Sequence, residues 1–338
     1  RSGGGKEITE DEIIRGLNWL KNTQNSDGGR GDTDKTHEGN TTSYGKSSHK
    51  QSMTSMALLA FLGHCELQDS PQFGPTVQKA IDFLTSESPD ELTGTANNGA
   101  YAHGIRTYAL CEAYTMTKIP KLKEYAKRAA IFTIKGQNEN GGWAYGFGKG
   151  PVAHTDLSVS GWCIQGLKAA ALTGIPIDGL DESMDKAIEY VKRCQDQTGR
   201  FQYKTDSHGG QSGRGSLTGT GILSLQIWKN AKSEEARKGL DWIVANICDN
   251  KSQKEWKNVN VYGWYYHAQA CFQATGAGGA NYWRAWNRDF QQIVTKAQSE
   301  DGHWKHGYHF HGDTDIYRTA MTILMLEVYY RYMPSTKV

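Results

Sequence analysis

Two kinds of apolar segment alternate along the chain. In the first, charges interleave with apolar positions at helical spacing, as in "DESMDKAIEYVKRC" (181–194). In the second, charge is nearly absent and Ala, Gly, Ser and Leu dominate, as in "DLSVSGWCIQGLKAAALTG" (156–174). An amphipathic helix keeps one wet face, whereas a helix that is apolar all round must be enclosed. Segments of the first kind are "LNWLKNTQNSDGG" from Leu17, "IDFLTSES" from Ile81 and "AIFTIKGQNENGGW" from Ala130. "IEYVKRCQDQTGRF" from Ile188, "LDWIVANICDN" from Leu240 and "QIVTKAQSEDGHW" from Gln292 continue the series. Each is followed by a loop and an enclosed run: "SMTSMALLAFLG", "YAHGIRTYALCEAY", the run above, "SLTGTGILSLQIW", "GWYYHAQACFQATG" and "DIYRTAMTILMLEVYY". A spacing of about 50 to 60 residues is that of helix-pair repeats. The pattern therefore predicts an all-α chain, an (α/α)6 toroid or barrel of six helix-pair repeats, with outer amphipathic helices around inner enclosed ones.

Residues 12–338 form a single toroid domain in this reading, after a tag-like or disordered lead at 1–11. Gly63, Gly174 and Gly276 fall where inner helices end and are expected to be left-handed C-caps. The polar stretch "GGRGDTDKTHEGNTTSYGKSSHK" is an insertion in the first repeat.

Charge adds little: 38 basic and 36 acidic residues leave a net charge of +2, so no global field favours nucleic acid or anionic membrane. Ten Trp and seventeen Tyr among only 37% hydrophobic residues matter more, because their polar tips suit cavity walls as well as cores. The six cysteines are scattered without a C-x-x-C, and most read as small buried hydrophobes rather than disulfide or zinc ligands. No run approaches 18 apolar residues, so no transmembrane segment is expected. "RSGGGKE" reads as an appended leader and the chain as part of a larger one, which leaves the compartment open.

The loops after the outer helices share a pattern: "QNSDGG" from Gln24, "QNENGGW" from Gln137, "QDQTGRF" from Gln195 and "QSEDGHW" from Gln298. Gly suits the turn, the acidic or amide residue caps it, and the aromatic wedges between neighbouring helices. These copies resemble the Q-x-x-D-G-x-W repeat of squalene–hopene cyclases and related toroids, with eroded copies near residues 88 and 247. The resemblance implies the α/α toroid of the terpenoid-cyclase and protein-prenyltransferase superfamily. Within it, class II terpene cyclases carry D-x-D-D-T, whose middle Asp protonates the substrate. Here "HTDLS" (154–158) keeps the middle acid as Asp156 and loses both flanking acids, and "DTDIY" (313–317) is a second imperfect copy. Prenyltransferase β-subunits use Asp-x-Cys and His as zinc ligands, but this chain has "VYGWYYHAQ" and, in "DIYRTA", Arg318 at those entries. The Cys-Gly-Glu-Gln of thioester domains is also missing, since "CELQ" and "CQDQ" match only its spacing.

In a helix-pair barrel, the loops that precede the inner helices converge at one end. His49, Lys50, His103, Arg106, His154, Asp156, Arg214, Tyr262, Trp264, Tyr265, His267, Asp313, Asp315 and Arg318 are thereby expected at one mouth, as a pocket would require. Asp156 and Asp315 are the expected catalytic pair, with His103, Arg106, His154, Trp264, Tyr265, His267, Asp313 and Arg318 expected to bind. Competing structural readings stand beside these. Asp is a favoured N-cap, His103 and His267 suit a core, and "YGWYYH" suits packing. An Arg on an uncharged helix needs a partner, and the same Asp residues are the expected ones. His303, His306, His309 and His311 place His-x-His spacing in a loop, which can hold a divalent ion or simply be solvated. The site is read without metal or cofactor.

The function expected is a small-molecule pocket at the barrel mouth, with Asp156 as general acid on an isoprenoid-like substrate. A noncatalytic binding scaffold is the alternative, as is a polysaccharide-acting hydrolase or lyase with a glycan ligand. A catalytic site is expected to turn Asp156 and Asp315 to one cavity, with at least one pKa moved towards neutrality and a His or Arg nearby. A scaffold turns both back onto their helices around a filled centre.

Overall fold

The structure, a computed structural model, describes residues 7–31, 47–92, 99–148, 154–205, 215–250, 254–305 and 314–329. Among them are twelve α-helices. The outer six are α1 (Glu7–Asn22), α3 (Gly74–Leu84), α5 (Pro120–Gly136), α7 (Leu180–Arg193), α9 (Glu234–Ile243) and α11 (Ala280–Ala297). The inner six are α2 (Ser47–Gly63), α4 (Gly99–Thr117), α6 (Leu157–Leu172), α8 (Thr218–Ile227), α10 (Val261–Gln273) and α12 (Asp315–Leu326). Each inner helix packs on the next and α12 returns to α2, so the inner ring closes. The only paired strands among the described residues are β1 (Trp143–Ala144) and β2 (Thr155–Asp156), antiparallel with Trp143 opposite Asp156.

Helix burial follows the two sequence classes. On α7 only one stripe is buried (Leu180, Ser183, Met184, Ala187, Ile188, Tyr190, Val191), whereas α6 is buried from Leu157 to Ala170. α1 begins at Glu7, ahead of the expected start at 12.

The Gln loops are the fasteners of the ring. Each Gln donates through Nε2 to its own loop glycine and to the next outer helix, at 2.8–3.0 Å. Gln24 reaches Thr76 O, Gln137 reaches Ser183 O, Gln195 reaches Glu235 O, and Gln298 reaches Glu12 O on α1. The last of these closes the ring with the same bond that builds it. Gly28, Gly141, Gly199 and Gly302 adopt positive φ there. A Cβ on any of them would meet a backbone carbonyl of the next outer helix within 2.2–2.6 Å, so only glycine fits.

The aromatic position is a wedge with a polar tether. The indoles of Trp143 and Trp304 donate to Thr133 O and Val294 O, ten residues back, at 2.8 and 2.9 Å. In the first repeat Arg30 takes this place, fully buried, and its Nε donates to Leu20 O, also ten residues back. Its two terminal nitrogens have no hydrogen-bond partner among the described residues, its guanidinium lies over the Phe61 ring at 5.6 Å, and burial pulls its pKa down to about 9. Backbone N–H groups at the wedge position also bind a hydroxyl on the following inner helix: Arg30 to Thr54, Trp143 to Ser160, Phe201 to Thr218 and Trp304 to Thr319.

The eroded loops use arginine instead. Arg106 Nε, Nη1 and Nη2 donate to the carbonyls of Leu84, Glu87 and Ser88 that end α3, at 2.6–3.0 Å. Arg318 donates to Trp256 O and Val259 O and lies over the Trp256 ring at 5.0 Å. The partners of both thus include backbone carbonyls, not only the Asp side chains expected. The left-handed caps also differ. Gly174 has positive φ as predicted, but after α2 and α10 this conformation is taken by Cys65 and Gly278. Gly63 is instead a site of close approach, where a Cβ would clash with the Glu327 carboxylate. All six cysteines are free, and all but Cys65 are buried.

Candidate active site at the α6 entrance

The β1–β2 pair draws the loop after α5 against the entrance of α6, and Tyr203 O receives Leu157 N at 2.8 Å from the other side. Asp156 lies between these two loops and is fully enclosed, at 0% exposure. Its two oxygens differ. Oδ1 is a helix cap, accepting Ser158 N at 2.7 Å, Ser158 Oγ at 2.5 Å and Val159 N at 3.0 Å. Oδ2 is buried and makes no hydrogen bond of normal geometry among the described residues, with the Tyr203 hydroxyl close enough to act on the carboxyl.

Burial raises the Asp156 pKa above the ordinary carboxyl value, against the opposing bonds from Ser158 and Val159 and the nearby Tyr203 hydroxyl. Tyr203 adjoins the carboxyl, but its hydroxyl is bonded to the Tyr145 hydroxyl, at 2.7 Å. Burial, reinforced by the Asp156 charge, raises the pKa of Tyr203 and of Tyr101. The phenols therefore stay neutral around a carboxyl that favours its proton. Tyr101, Tyr145, Tyr203, Tyr262 and Tyr317 are all half-buried. Exposed His154 packs its ring 5.6 Å from that of Tyr203.

Deeper in the ring, side chains of α6 and α10 meet. Trp162 of α6 stacks on Tyr265 of α10 at 5.7 Å. Gln165 donates to the Tyr266 hydroxyl at 2.9 Å and accepts from Tyr265 at 3.0 Å, lacing α6 to α10 across the interior.

Asp315 occupies the matching place in the sixth repeat, because Thr319 and Ser160, each four residues on, bind the same wedge N–H. Since α6 and α12 stand three places apart in a ring of six, the two aspartates lie on opposite sides. Asp315 Oδ2 is 3.6 Å from His303 Nε2, whose Nδ1 is 2.5 Å from Asp301. The His303 ring stacks on Trp19 at 5.1 Å, and Thr314 rather than Asp315 caps α12.

Other residues expected at the mouth face elsewhere. His103 turns onto α5, with Nε2 3.1 Å from Ala129 O, and His267 turns onto Gly215 O at 3.3 Å. Burial lowers the pKa of each to about 4, so both imidazoles are neutral. Trp264 packs outward on Trp286 and Phe290 of α11, whereas Tyr265 faces inward. Lys50 pairs with Asp27 at 3.4 Å. Arg214, His306, His309, His311, Asp313 and the His49 side chain lie outside the described residues. Tyr145 and Tyr203 escaped sequence reasoning. Their signal was position, each two residues after the wedge aromatic of a Gln loop.

Among the described residues no group of three His, Cys, Asp or Glu side chains could hold a metal ion, and no helix is long and apolar enough to cross a membrane.

Residues 3–104 match the family model of the squalene–hopene cyclase C-terminal domain. No curated protein sequence matches the chain. Among solved structures, the α-1,6-mannanase of Salegentibacter sp. HEL1_6 in complex with α-1,6-mannotriose is similar over 95% of this chain and 98% of its own, at 13% identity and TM-score 0.64. The type II terpene cyclase MstE of Scytonema, bound to geranylgeranyl dihydroxybenzoate, is similar over 95% and 97%, at 12% identity and TM-score 0.64. The cellobiose 2-epimerase of Bacillus thermoamylovorans B4167 covers 94% and 98%, at 15% identity and TM-score 0.63.

Proposed function

We propose that this chain, which shares the α/α toroid fold of a terpene cyclase and matches the squalene–hopene cyclase C-terminal model over residues 3–104, is an acid catalyst acting on an isoprenoid-like substrate, with Asp156 as the proton donor. One observation carries the reading: Asp156 caps α6 with one oxygen, keeps the other buried beside the Tyr203 hydroxyl without a hydrogen bond of normal geometry among the described residues, and has its pKa raised by burial. General acid catalysis needs a carboxyl that still holds its proton near neutral pH. The half-buried phenol faces of Tyr101, Tyr145, Tyr203, Tyr262 and Tyr317 supply electron-rich surfaces, which stabilise positive charge developing on a polyene.

The polysaccharide reading is less well supported. Hydrolysis of a glycoside places two carboxyls across one bond, and here Asp156 and Asp315 stand on opposite sides of the ring. A second reading, a rigid binding scaffold, draws support from the packing of Trp162, Gln165, Tyr265 and Tyr266 between α6 and α10.

Assay of the purified chain with geranylgeranyl-bearing polyenes tests the proposal. Cyclised product is expected, with turnover falling at least about a hundredfold in Asp156→Asn. Turnover unaffected by that substitution overturns Asp156 as the acid, and ligand binding without turnover supports the scaffold.

A further inference from the structure

A fully enclosed acid needs a route for its proton. Asp156 has no exposed surface, so a substrate at the mouth cannot touch its free oxygen. Two hydroxyls stand between. Tyr203 adjoins the carboxyl, and its hydroxyl is 2.7 Å from that of Tyr145. Both phenols are half-buried, so each keeps some surface open to solvent. Backbone bonds fix both ends of this chain: β1–β2 pairing holds the segment before Tyr145 against Asp156, and Tyr203 O holds Leu157 N. Tyr145 O also accepts Ala100 N at 2.8 Å, which ties the outer phenol to the start of α4.

We propose that Tyr203 and Tyr145 form a two-phenol proton path between Asp156 and the mouth. The inference rests on the reading of Asp156 as the acid. In the forward step the Asp156 O–H bond breaks and its proton passes to the Tyr203 oxygen. The Tyr203 proton passes to the Tyr145 oxygen, and the Tyr145 proton forms the new bond to the substrate carbon. Both phenols end neutral, Asp156 ends as a carboxylate, and the substrate carries the positive charge. A lone phenol with a raised pKa is a poor acid, but here the net donor is the carboxyl. Reprotonation from water at the mouth runs along the same hydroxyls in reverse. Tyr203 is a positioning residue in this scheme, and Tyr145 is the group that meets the substrate.

The path is tested without any substrate. Infrared spectroscopy of the intact chain follows the carbonyl band of the protonated carboxyl, assigned by its loss in Asp156→Asn, after transfer into D2O. The path predicts rapid exchange in the wild type, slowed at least about tenfold in both Tyr203→Phe and Tyr145→Phe. Thermal unfolding is run alongside, because a merely structural role for either phenol would lower Tm and speed exchange by loosening the site. Exchange unchanged or faster in the two variants overturns the path, and slowing in Tyr203→Phe alone overturns the part of Tyr145. If the wild type lacks the band, the acid reading itself fails and the path has no proton to carry.

Discussion

The entrances of α6 and α12 have the same architecture and opposite chemistry. Each follows a Gln loop, each has a buried Trp tethered ten residues back, and each puts an Asp four residues before the hydroxyl that binds the wedge N–H. At α6 the Asp is walled by neutral phenols, and one oxygen makes no hydrogen bond of normal geometry among the described residues. At α12 the Asp meets His303, itself held by Asp301 and stacked on Trp19. Position in the repeat therefore fixes where a carboxyl stands, and its neighbours decide what it does. Partners hold one in place, while desolvation raises the pKa of the other.

The largest effect that can break this comparison is on turnover. Asp156→Asn is expected to lose about two to four orders of magnitude, whereas Asp315→Asn stays within about tenfold of wild type. Equal losses at both positions would make the two entrances one shared site, and the difference drawn here would be wrong.

Next come the features the entrances share. Trp143→Ala and Trp304→Ala should each cost about 3–5 kcal/mol in denaturant unfolding, because each empties an equivalent wedge. The first repeat sharpens this point, since Arg30 fills the same wedge with an unpaired charge. Arg30→Trp restores the indole tether and should stabilise the chain by about 1–3 kcal/mol, the cost of leaving buried polar groups unsatisfied. A loss of stability would mean that the guanidinium has a role beyond the wedge.

The smallest effect separates the cap from the acid. Asn caps as well as Asp does, but Ala does not, so Asp156→Ala should cost about 1 kcal/mol more than Asp156→Asn. The pH dependence carries a definite sign. Because the folded pKa of Asp156 is raised, its contribution to stability is fully present below the unfolded value and is lost as pH rises through the folded one. Asp156→Asn therefore gains on wild type with rising pH. Glu12 is buried on α1 with its pKa raised to about 7 and titrates in the same direction. The comparison is cleanest on a Glu12→Gln background.

Much of this was legible in the sequence, and for identifiable reasons. Helical periodicity separates α7 from α6 because burial on one stripe and burial all round leave different residue patterns. The loop copies at Gln24, Gln137, Gln195 and Gln298 are legible because the ring reuses one clamp. The orientation of side chains was not. His103 of α4 and His267 of α10 each turn one ring nitrogen onto a backbone carbonyl, Ala129 O of α5 and Gly215 O before α8, and pack on outer-helix aromatics. Arg106 and Arg318 likewise find carbonyls of the eroded loops. Tyr145 and Tyr203 approach Asp156 from two different loops, and only the closed ring brings them together.

The central claim is that burial raises the pKa of the Asp156 carboxyl. A pH titration of aspartate side-chain carboxyl carbons by 13C NMR, with Asp156 assigned by its loss in Asp156→Asn, tests it most directly. The account predicts a midpoint displaced upward from the ordinary carboxyl range, and a midpoint at or below that range would contradict it.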